Sequence, residues 1–93
     1  MKLKGLKVMN KIEELKVRYK EVMAEIAELE ETQEHLLNEL EKLGEPMITD
    51  KARLVVGNVI KDEALIVEKK LTARYNKIDR IVGTIHYLNR KMA

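Results

Sequence analysis

Ninety-three residues, with three Tyr, no Phe or Trp, no Cys and a charged fraction of 37%, fit one small domain with thin aliphatic seams better than a thick globular core. The missing cysteines exclude a disulfide framework, a thiolate metal site and a thiol nucleophile. No stretch approaches the ~20 apolar residues of a membrane span, and lysines interrupt the apolar residues of Met1–Lys7, unlike a signal peptide, so a cytoplasmic protein is expected.

Residues 1–7 read as a frayed lead-in, with Asn10 able to cap a helix and Glu13 placed as in a capping box. From Val8 to Leu43 apolar residues recur in alternating steps of four and three. Ile12, Tyr19, Ile26 and Leu40 hold one seam position, with Gln33 as its polar member; Leu15, Val22, Leu29 and Leu36 hold the other. A heptad pattern sustained this long predicts a coiled-coil helix over about 8–43. Met9, Met23 and Leu37 flank the seam and widen it, as in a four-helix bundle. Gln33 is either a selector of register and oligomer state or a half-exposed residue at a splayed point.

Gly44 fits the left-handed position after a helix, and Glu45-Pro46 stops its continuation, so a turn is expected over 44–49. Thr49 or Asp50 can cap the next element. Residues 50–71 admit two readings. As helix, Val56, Ile60, Val67 and Leu71 line one side, Ala52, Val55, Val59 and Ile66 extend it, and Leu54 and Leu65 lie nearly opposite. As strand, Gly57-Asn58 marks a short β-hairpin at 53–61. Helix is the preferred reading, because so small a hairpin is marginal in water. Further on, Leu71, Ile78, Ile81, Ile85 and Leu88 repeat at heptad spacing to about residue 92, with Arg74 in place of an apolar residue.

Two arms of similar length around a Gly/Pro turn predict an all-α fold: one domain over 1–93, a long antiparallel helical hairpin dimerising into a four-helix bundle. The charge order adds polarity. The first twenty residues carry +5 and residues 71–93 carry +4, while residues 21–45 carry −8 and residues 46–70 carry +1. A closed hairpin gathers the basic blocks at its open end. That end can orient a second copy, or contact phosphate or an acidic partner through Lys4, Lys7, Lys11, Arg18, Arg74, Lys77, Arg80, Arg90 and Lys91. Without aromatic interleaving, base stacking is not suggested.

Nothing in the chain points to catalysis. There is no Ser or Cys, the threonines have no evident base, and the glycines are isolated. His35 and His86 form no metal-ligand pair, so neither a metal nor a cofactor is expected.

Two family resemblances concern short features. Gly44-Glu45-Pro46-Met47-Ile48-Thr49-Asp50-Lys51-Ala52-Arg53 resembles the junction after the first helix of all-helical chorismate mutases over about ten residues, with Leu54 where an acidic residue usually follows. That likeness implies an interhelical pocket fed by basic side chains, Arg53 among them. A long helix, a β-rich middle around Val56-Gly57-Asn58-Val59 and a second heptad helix is similar in layout to prefoldin-type chaperone subunits, which carry a fuller hairpin. Both rank below a non-enzymatic protein-interaction module (adaptor, scaffold, assembly factor or small inhibitor) acting by coiled-coil self-association as a homodimer. The rival from another class is a nucleic-acid-binding dimer.

Overall fold

The computed structural model describes residues 2–92 and, of these, the side chains of 5–91. It contains two helices, α1 (Lys2–Lys42) and α2 (Asp50–Met92), and no strand among the described residues. The fold is the expected all-α helical hairpin. Residues 53–61 are helical throughout, so the β-hairpin alternative and the β-rich middle of the prefoldin-like layout are both overturned. Short β arms here would have little to pair with, whereas a helix packs one face of this segment on α1.

α1 begins at Lys2 rather than near Val8, and Asn10 lies inside it, so the expected cap there is unused. Helix extension costs little through the Lys and Leu residues at 2–7, and Gly5 alone opposes it by ~1 kcal/mol. At the other end, the glycine expectation is also corrected. Gly44 does not adopt positive φ; among the described residues none does. Tight three-residue turns close α1 instead, with Gly44 N–H donating to Glu41 O at 3.0 Å and Glu45 N–H to Lys42 O at 3.1 Å. A side chain at Gly44 would bring a Cβ within 3.2 Å of the Glu41 carbonyl oxygen, which explains a residue without one. Thr49 caps α2: its hydroxyl accepts from Ala52 N–H at 3.2 Å and its carbonyl from Arg53 N–H at 3.0 Å.

The chain divides into two compact units, each using a segment of both helices. In the unit of Ala27–Thr72, Leu29, Gln33, Leu36 and Leu40 of α1, and Leu43 just after it, form the seam with Gly57, Ile60, Ala64, Val67 and Leu71 of α2, all buried or half-buried. In the unit that ends at Ile26 and resumes at Ala73, Val8, Ile12, Leu15, Tyr19, Val22 and Ile26 meet Arg74, Ile78, Ile81, Ile85 and Leu88 in the same way. The seam residues read from the heptads are therefore the inward ones, Gln33 included. Val56 is the correction: it is exposed, and Gly57 beside it takes the seam position against Leu43.

Two layers of helix hide little. Eight apolar side chains are buried among the described residues, and of these Val22 alone is fully so. A thin seam of this kind leaves the outer faces of both helices to water or to a partner.

Candidate interaction surface

Two arginines at seam positions of α2 show how each unit is held in register. In the turn unit, Arg53 reaches back across the bend. Its Nε donates to the Leu43 carbonyl at 2.7 Å, Nη2 to the Glu45 carbonyl at 3.0 Å and Nη1 to Asp50 Oδ1 at 3.3 Å. The guanidinium thus gives a donor to the Leu43 carbonyl just past the end of α1 and a second one to the Glu45 carbonyl, which also accepts from Ile48 N–H at 3.2 Å. In this structure the residue that matches the mutase-like junction is committed to its own backbone.

In the other unit, Arg74 Nε donates to Glu25 Oε2 at 2.6 Å, joining α2 to α1 from a half-buried position. By sequence Arg74 is a candidate for phosphate contact; here its charge is already answered. Arg18 is engaged as well, by Glu21 at 3.0 Å, and Lys11 lies 3.9 Å from Glu14. The side chain of Lys4 lies outside the described residues.

The remaining basic candidates sort by helix face. Lys77, Arg80 and Lys91 share one face of α2 with Thr84 and Tyr87, at steps of three and four, and that line contains no acid. Lys91 Nζ sits 5.2 Å above the Tyr87 ring. Arg90 lies about a quarter-turn away from that line. In an antiparallel pair with these heptads, Lys11 and Arg18 of α1 border the same edge of the seam as Lys77 and Lys91 of α2. The Arg74–Glu25 contact lies on that edge, while Met9, Lys16 and Asn89 meet around a shallow hollow on the other. So Lys7, Lys11, Arg18, Lys77, Arg80 and Lys91 are brought to one side of this unit, and Arg90 is not. By sequence this unit carries twelve basic and five acidic residues, a net +7; the turn unit carries six and eleven, a net −5.

The turn unit presents a different surface. Ala52, Val55, Val59 and Ile66 follow one another at helical spacing on a face of α2 that α1 does not cover. Val55, Val59 and Ile66 are each more than half exposed, at 57%, 54% and 54%. Val56 borders this stripe, and Leu54 and Leu65 project from a further part of the helix, also exposed. Heptad reading treats these side chains as a widening of the seam. The missed signal is their offset: counted from Ile66, the seam residues Ile60 and Val67 lie roughly a third of a turn away.

His35 and His86 are both exposed, and no group of three or more possible metal ligands occurs among the described residues. No described helix is long and apolar enough to cross a membrane. No family model, curated protein or solved structure matches the chain.

Proposed function

We propose that this protein is a non-enzymatic interaction module, an adaptor, scaffold, assembly factor or small inhibitor, whose working form is a homodimer. The observation that supports this reading is the uncovered stripe Val55–Val59–Ile66. An apolar line at helical spacing is the kind of surface one helix offers another. The occupant is a second copy, which brings the same stripe and adds a layer to a fold with only eight buried apolar side chains among the described residues.

The size of the stripe sets the strength of the contact. At ~0.8 kcal/mol per CH₂ and ~25 cal/mol per Å², each carbon counts for roughly 30 Å², and the half-exposed stripe offers roughly 200 Å² per copy. Two copies then hide about 400 Å² of apolar side chain, well under the ~1,200 Å² total of a standard stable interface. The dimer is therefore weak and concentration-dependent. Sedimentation equilibrium from ~1 μM to ~1 mM should show reversible dimerisation, weakened about tenfold or more by Val59→Ser with Ile66→Ser. A folded monomer across that whole range refutes the reading.

The one-sided basic surface of the other unit favours a second reading, contact with nucleic-acid phosphates. Binding of a short duplex should fall steeply with salt, and Arg80→Glu with Lys91→Glu should abolish it. No binding at low salt removes this reading.

A further inference from the structure

Four charges surround the centre of the stripe in a self-complementary order. Asp62 and Glu63 lie four and three residues before Ile66; Lys69 and Lys70 lie three and four after it. All four are exposed. Among the described residues, none of them makes an ion pair within its own chain. The nearby Lys61 and Glu68 project from the far side of the helix and stand apart from this arrangement.

Helical geometry places the four on the flanks of the stripe. Asp62 and Lys69, seven residues apart, lie along one flank, and Glu63 and Lys70 lie along the other. Each flank is acidic toward the helix start and basic toward its end. Across a two-fold axis, antiparallel helices meet like flank to like flank with their directions reversed. A two-fold beside Ile66 therefore sets Asp62 against the partner's Lys69 and Glu63 against the partner's Lys70, and both pairs occur twice. Parallel pairing in register sets acid against acid and base against base, which disfavours it.

We infer that the homodimer is antiparallel, with α2 packed on the partner's α2 about a two-fold axis at Ile66 and with these four charges specifying the orientation. The inference rests on the self-association reading and adds what that reading leaves open, the order of the subunits. It also gives the unpaired charges a physical role. Exposed ion pairs contribute little strength, so their effect is to select the orientation, with Ile66 of each copy meeting at the axis.

Charge reversal in the full-length chain tests it by sedimentation equilibrium. Asp62→Lys with Glu63→Lys sets base against base in the antiparallel dimer, and Lys69→Glu with Lys70→Glu sets acid against acid. Each double variant should raise the dissociation constant about tenfold or more. The quadruple variant restores opposite charges at every contact and keeps the wild-type net charge; it should return to within about threefold of wild type. Helical ellipticity of all three should match wild type, since the four positions are exposed. A wild-type dimer whose affinity the double variants leave unchanged, or which the quadruple variant does not recover, overturns the antiparallel order alone. A wild-type chain that never dimerises overturns the self-association reading and this inference with it.

Discussion

Replacing Arg53 by Met tests whether the bend is held by directed hydrogen bonds or by general packing. The substitution keeps a long aliphatic stem and removes three donors. The bond to the Leu43 carbonyl is short, 2.7 Å, and part-buried. A hydrogen bond from a charged group there contributes about 1.5–3 kcal/mol, nearer the lower figure because water can reach the freed carbonyl. The Glu45 contact is exposed and adds roughly 0.5–1 kcal/mol. Asp50 is fully exposed and contributes nothing that should be counted. The sum is about 2–3 kcal/mol, which for a chain of this size lowers Tm by on the order of 10–20 °C. Arg53→Lys keeps the charge but has no planar fork to reach two carbonyls, so it should lose most of the same stability. Urea and thermal melts followed by ellipticity, at one fixed protein concentration, measure both variants. If Arg53→Met melts within about 0.5 kcal/mol of wild type, or Arg53→Lys is indistinguishable from it, the clamp is not what closes the turn.

The seams and their cross-helix contacts set three further outcomes. Val22→Ala should cost about 2–3 kcal/mol, because Val22 is completely buried, while Val17→Ala on the exposed side should stay within ~0.5 kcal/mol; matched urea melts compare them. Gly57→Ala should stabilise by about 0.5–1 kcal/mol, since the new Cβ meets Leu43 Cδ1 at an ordinary 3.7 Å and the helix gains a better former; a lower urea midpoint contradicts this. A double-mutant cycle on Arg74 and Glu25 should give a coupling of about 0.5–1 kcal/mol, modest because both side chains are partly exposed, and 1 M salt should nearly erase it.

The first helix was legible almost residue by residue. Its seam alternates strictly, and side chains from Val8 to Leu43 turn inward where the heptads place them. The start of α2 was not. Val55, Val56, Val59, Leu65 and Ile66 surround that segment with apolar side chains, so periodicity alone offers more than one face to bury. Contact with α1 decides, and it selects Gly57, a residue with no hydrophobic signal of its own. Gly57-Asn58 even argues locally for a β-turn, and the helix overrides it because the seam continues on both sides. Among the basic candidates, sequence supplied charge but not occupancy. Only the structure shows that Arg74 and Arg18 face carboxylates while Lys77, Arg80 and Lys91 line up on an acid-free face. The role of Arg53 was hidden because its partners are backbone carbonyls, which carry no sequence signature.

The bend unit also has a kinetic meaning. Its clamp joins residues ten apart, whereas the Glu25–Arg74 pair closes a span of forty-nine. By loop-closure entropy the longer span costs roughly 1.4 kcal/mol more if it forms first, about a tenfold handicap. The chain should therefore zip outward from its bend. Protease nicking at Met47, the most exposed large apolar side chain described, would leave the seam side chains in place yet turn a self-templating fold into two strands that must find each other by diffusion.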